Sequence, residues 1–149
     1  LKIDFDIAEG EYKGFFTNDY RANTSDNKKW RGNYRINIPN ENNQYFDSQR
    51  KSFNNLIACL EETNAGYHFD WDEAKLKGKG IGVLFRNEEW SYQGSTGWKT
   101  KCCAVTTAED IRNGKFKTPK DKALKKTGYT AAASTSFAEL DDDDSDLPF

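Results

Sequence analysis

A chain of 149 residues makes one domain with room for a tail. With 36% hydrophobic and 31% charged residues it can bury a modest core under a heavily solvated surface, and no apolar run approaches the roughly 20 residues that a spanning helix needs. The net charge of −2 argues at first against a polyanionic partner, but that average hides a split. Residues 139–149 hold Glu139, Asp141 to Asp144 and Asp146 with no base; without these six, 22 basic residues face 24 − 6 = 18 acidic ones, a body of about +4. Aromatic residues make up 14% of the chain, more than so polar a sequence needs for its core, which points to a ring surface for stacking. Cys59, Cys102 and Cys103 form neither a metal spacing nor an even disulfide framework and read as reduced thiols. A structural zinc site is not expected, because His68 is the single histidine.

In chain order, Leu1, Ile3, Phe5 and Ile7 alternate with Lys2, Asp4 and Asp6, the period of a half-buried strand rather than of a leader peptide. The chain opens without Met, so an upstream start, and with it a further strand, stays open. Glu9-Gly10 turns the chain into a second expected strand, Tyr12 to Thr17, and residues 18–29 read as a polar loop. A third strand is expected over Trp30 to Ile38, with Trp30, Tyr34, Ile36 and Ile38 on one face and Arg31, Asn33, Arg35 and Asn37 on the other. Asp47 or Ser48 could cap a helix that carries Phe53, Leu56, Ile57 and Leu60 on one side and stops before Asn64-Ala65-Gly66. Lys77 to Gly80 then leads into Ile81 to Arg86. A hairpin follows, with arms near Glu88 to Gln93 and Trp98 to Thr106 around Gly94-Ser95-Thr96-Gly97. Antiparallel strands with one helix inserted after the third predict an all-β fold, a five-stranded OB-type barrel at about 1–118. From Pro119 the apolar pattern dies, and 119–138 reads as a flexible linker.

The most specific signal is the end of the chain. The Asp run supplies charge, and Asp146-Leu147-Pro148-Phe149 adds shape: an apolar residue, a stiffening Pro, and a ring that bears the terminal carboxylate. A pocket can take the ring while an Arg or Lys takes the carboxylate. This tip resembles the acidic, Pro-Phe-terminated tip of bacterial-type single-stranded DNA-binding proteins. The family tip usually runs Asp-Asp-Asp, one aliphatic residue, Pro, Phe; here Ser145 interrupts the acids. The resemblance implies an OB domain that binds DNA, a disordered linker, and partner binding through Asp142, Asp143, Asp144, Asp146, Leu147, Pro148 and Phe149. In the body, Phe5 to Gly14, Leu76 to Gly82 and Ala108 to Phe116 resemble a diverged, phage- or prophage-encoded group.

A single strand exposes flat base faces, so its binder needs rings to stack on and cations for the phosphates. Lys28-Lys29-Trp30-Arg31, Trp90-Ser91-Tyr92 and Trp98-Lys99-Thr100-Lys101 offer that mixture, with Arg35 beside the first. The expected DNA contacts are therefore Lys28, Lys29, Trp30, Arg31, Arg35, Trp90, Tyr92, Trp98, Lys99 and Lys101. Trp30 and Tyr34 share a face with Ile36 and Ile38, which favours the core for both, whereas Trp90, Tyr92 and Trp98 flank a turn with no aliphatic neighbours. Glu73-Ala74-Lys75, with Asp70 and Asp72, has the Glu-x-Lys spacing of metal-dependent nucleases and supplies the alternative reading. Gly78, Gly80 and Gly82 lack the ending of a phosphate loop. The expectation is thus a non-enzymatic protein without cofactor or metal that coats single-stranded DNA in replication, recombination or repair. It would act in the bacterial cytoplasm, the host's if the chain is phage-encoded. Enzymes would be recruited through residues 139–149, no membrane would be involved, and self-association stays open. A pure adaptor that kept the tip and lost DNA binding is a third class.

Overall fold

A computed structural model of the chain describes residues 1–125. Strand β1 (Lys2–Asp4) pairs antiparallel with β2 (Asn33–Arg35), in register Lys2↔Arg35, Ile3↔Tyr34 and Asp4↔Asn33. Helix α1 (Phe15–Ala22) lies between them in sequence, and α2 (Phe46–Thr63) follows β2. A short 3-10 turn, Glu73–Leu76, precedes a long antiparallel hairpin of β3 (Gly82–Tyr92) and β4 (Ser95–Thr106). Helix α3 (Ala108–Arg112) closes this part of the chain, capped by Thr107, whose hydroxyl accepts the Asp110 amide at 3.0 Å.

The five-stranded all-β barrel is overturned. The described residues form two separate two-stranded sheets with three helices, a mixed α and β architecture with no closed barrel. One cause lies at Asp6. Its carboxylate accepts the amides of Ile7 at 2.8 Å, Phe16 at 3.0 Å and Thr17 at 3.1 Å, and also the Thr17 hydroxyl. Burial alone would raise this carboxyl, but those donors outweigh it and hold it below the usual carboxylate range. A side chain read as one step of a strand thereby ends β1 and satisfies the orphan amides of a helix. The strand expected over Tyr12 to Thr17 and the first residues of the loop after it, 18–22, are instead the approach to α1 and α1 itself, while 23–29 stay outside helix and strand. Within Trp30 to Ile38 only Asn33–Arg35 is strand, extended by backbone hydrogen bonds of Gly32 with Phe5 and of Ile36 with Leu1, and Ile38 is exposed.

The second cause is α2, which occupies the place a barrel interior would need. Phe53, Leu56 and Leu60 form its buried stripe, as the spacing predicts, and meet Ile36 from the β2 side and Val105 from β4. Tyr67 completes this core, and Leu1, Ile3, Ile57, Phe69, Leu76, Ile81 and Val83 pack around it. One helix thus joins two ribbons that do not hydrogen-bond to each other. The helix ends where predicted: the Asn64 side-chain amide donates to Leu60 O and Gly80 O, both at 2.8 Å.

The hairpin arms stand where expected, but the turn is tighter. Gln93 (φ 48°) and Gly94 (φ 79°) alone form it, both left-handed, as in a two-residue type I′ turn. Residues 121–124, within the stretch expected as linker, run along the outer edge of β3. The Lys122 amide donates to Asn87 O at 2.8 Å, and the Glu89 amide donates to Lys122 O at 2.9 Å. The rest of the expected linker, from 126, and the tip at 139–149 lie outside the described residues.

Candidate nucleic-acid interface

Four parts of the fold meet around an open cleft of about 1690 Å³. The start of α1 brings Tyr12, Phe15 and Phe16; the β2 segment brings Trp30, Arg31 and Arg35; the start of α2 brings Tyr45, Ser48, Gln49 and Ser52. The hairpin contributes Phe85, Arg86 and Glu88 from β3 and Trp98 to Cys103 from β4. The lining carries five bases, Arg31, Arg35, Arg86, Lys99 and Lys101, and one acid, Glu88, which is 5 − 1 = +4. Residues 1–125 as a whole hold 22 − 1 = 21 bases and 24 − 6 = 18 acids, +3. The positive excess of the body is therefore gathered at the cleft and nearly balanced elsewhere.

The cations differ in how free they are. Glu88 takes Arg86 at 2.9 Å on one oxygen and Lys101 at 2.7 Å on the other. Burial would raise this carboxyl, but hydrogen bonds from Lys101 and Arg86 prevail and hold it low, so it stays ionised at neutral pH. Arg31 lies 3.5 Å from Asp19. Arg35 and Lys99 form no ion pair among the described residues. Their charges face solvent, where a phosphate can displace counterions from them.

The rings form the second component. Tyr12, Phe15, Tyr45 and Trp98 are all more than 40% exposed and line the cleft. Trp30 is half-buried: its indole N–H donates to Gly32 O at 2.8 Å and to Phe5 O at 3.1 Å, and its ring lies against Phe16 and Tyr20. It supports the wall more than it offers a free face. The floor is apolar and electrically neutral. Burial pushes the Cys102 thiol up to about 12, with Cys103 adding to it, and burial likewise pushes Tyr34 up to about 12. All three cysteines are free thiols.

Of the ten expected DNA contacts, Trp30, Arg31, Arg35, Trp98, Lys99 and Lys101 come together at the cleft. Lys28, Lys29, Trp90 and Tyr92 do not line it; Lys28 instead sits 4.6 Å over the Tyr20 ring. The sequence reading missed Tyr12, Phe15, Tyr45 and Arg86. Tyr12 and Phe15 were hidden by the strand assigned to them, but Tyr45 was visible as a ring, next to Phe46, that closes an Asn-rich stretch just before a helix.

The carboxylates of the nuclease alternative lie away from the cleft. Lys75 pairs with Asp70 and stands 3.9 Å from Asp72, and the Asp72 side chain accepts the Ala74 amide at 3.1 Å as the cap of the 3-10 turn. The Lys75 hydrogen bond, followed by the Asp72 amide, holds the Asp70 carboxyl below its usual range. Among the described residues no three His, Cys, Asp or Glu side chains converge as a metal site. Nor, among them, is any helix long and apolar enough to cross a membrane. In comparisons with known proteins, the chain matches no family model, no curated protein and no solved structure.

Proposed function

We propose that this chain binds single-stranded DNA in the cleft, without strong sequence preference, and recruits replication, recombination or repair enzymes through residues 139–149. The observation that carries the DNA half is the coincidence, in one open cleft, of a +4 lining with four exposed rings. A duplex hides its base faces and needs only the cations. A single strand uses both: phosphates on Arg35 and Lys99, bases on Trp98, Tyr12, Phe15 and Tyr45. Neutral polar side chains such as Ser48, Gln49 and Ser52 line the cleft beside the rings. Stacking tolerates any base, so such a surface reads little sequence. Loss of the barrel does not remove this reading, because function resides in the site and not in the fold class. The tip supports the partner half by its shape and by its resemblance to the family named above. The reading assigns no reaction, cofactor or metal, and places the protein in the bacterial cytoplasm, or the host's for a phage-encoded chain.

Trp98→Ala tests the DNA half. Trp98 is 54% exposed, so its removal should leave the thermal melt unchanged. Affinity for a labelled single-stranded oligonucleotide should fall by roughly 1–3 kcal/mol, the usual contribution of one stacked base. Unchanged affinity, or wild-type binding that favours a duplex of equal length, contradicts the reading.

A further inference from the structure

Trp90 and Tyr92 stand outside the cleft yet belong to the same ribbon that borders it. Trp90 pairs with Gly97, and Trp98 with Glu89, so strand alternation sends the two indoles to opposite faces of the β3–β4 hairpin. Tyr92 falls on the Trp90 face and is 67% exposed. The Trp90 ring rests against the partner strand at Gly97: a Cβ added there would meet Cζ2, Cε2 and Nε1, along one rim of the indole, at 2.9, 3.0 and 3.0 Å. Glycine at 97 thus makes room for the indole, which stays 36% exposed. The 121–124 segment braces β3 only as far as Glu89, whose carboxylate accepts the Leu124 amide at 2.9 Å. Beyond it, Trp90 to Thr96 are all exposed, and among the described residues no segment runs along them. From Trp90 to Lys99 there is no carboxylate to repel a phosphate, and the one charge is Lys99, which also lines the cleft.

We infer that the end of this hairpin is a wedge for the junction between single-stranded and duplex DNA, a role that rests on the single-strand reading of the cleft. The strand in the cleft stacks on Trp98. The last base pair of the adjoining duplex, whose outer face is flat and apolar at the junction, stacks on the opposite side against Trp90, with Tyr92 beside it. The junction is favoured over a protein partner because the cleft reaches this face: Lys99, paired with Glu88, and Lys101, paired with Arg86, share it with Trp90 and line the cleft. It also presents planar rings with no aliphatic residue among Trp90 to Gly97.

The test is fluorescence anisotropy with the full chain on two probes, a single-stranded oligonucleotide and a duplex bearing a single-stranded tail of the same length. Wild-type protein should bind the tailed duplex about fivefold or more tighter, a gain of the size one stacked base supplies. Tyr92→Ala and Trp90→Ala should each reduce that preference and leave single-strand affinity unchanged, whereas Trp98→Ala should weaken both probes. If Trp90→Ala unfolds the ribbon, the Tyr92→Ala result decides, since that side chain covers nothing in the core. Equal binding of the two probes by wild-type protein, or a preference that Tyr92→Ala leaves intact, overturns the wedge alone. Failure of wild-type protein to bind the single-stranded probe overturns the cleft reading and the wedge with it.

Discussion

Removing Asp146 to Phe149 should abolish capture of replication or recombination enzymes and leave single-strand affinity equal or slightly higher. These residues lie outside the described part of the chain, and the argument is chemical. A pocket that takes the Phe149 ring, and the cation that takes its carboxylate, both lose their ligand when four residues go. The DNA side follows from charge. Six acids within residues 139–149 can compete weakly with phosphate for a lining that carries +4. The 15 residues between 125 and 141 span up to about 50 Å when extended, enough for the acids to reach the cleft. Removing all six should enlarge the gain in affinity at low salt and lose it at high salt, since exposed charges are screened over about 10 Å at 0.1 M. The check is a pull-down from host lysate beside a titration at two salt concentrations. If the truncated chain captures the same enzymes, the tail serves solubility alone.

Replacing Arg31, Arg35, Lys99 and Lys101 together by Gln should weaken single-strand binding at least about a hundredfold at low salt. It should also flatten the salt dependence. Each phosphate contact on a single strand adds about 0.7 to the slope of log K against log salt, so four lost contacts reduce it by about 3. All four side chains are exposed, and the surface ion pairs of Arg31 with Asp19 and Lys101 with Glu88 contribute at most about 1 kcal/mol each to folding. The variant should therefore melt close to wild type. Arg86 keeps its partner Glu88, so no acid in the cleft is left uncompensated. A variant that melts normally and keeps the wild-type slope would move the phosphate path elsewhere.

What the sequence could and could not disclose follows from the range of each interaction. Helix α2 was legible because Phe53, Leu56 and Leu60 repeat at 3.6-residue spacing and Asn64 stops them, all within one segment. The hairpin was legible for the same reason, although Gln93-Gly94 took the turn from the Gly94–Gly97 stretch. The barrel was not, because alternation tells which side chains share a face and not which strand lies beside them. Asp6 shows the limit most clearly. Its partners Phe16 and Thr17 lie ten and eleven residues on, and nothing local distinguishes this Asp from Asp4. The site followed the same division. Trp98, Lys99 and Lys101 were found because ring and cation adjoin in sequence. Arg86 was missed because only the packing of β3 against the other elements brings it to the cleft, and Trp90 was assigned beside Trp98 although the register puts them on opposite faces.

The central claim, that a single strand lies in the cleft with its bases on the rings, is tested most directly by photocrosslinking. A halogenated-uracil oligonucleotide bound to the full chain is irradiated, and the crosslinked residues are identified by mass spectrometry. The account predicts crosslinks at Trp98 and at Tyr12, Phe15 or Tyr45, suppressed by excess unlabelled single strand and not by duplex. Crosslinks confined to residues away from the cleft, or equally suppressed by duplex, would contradict it.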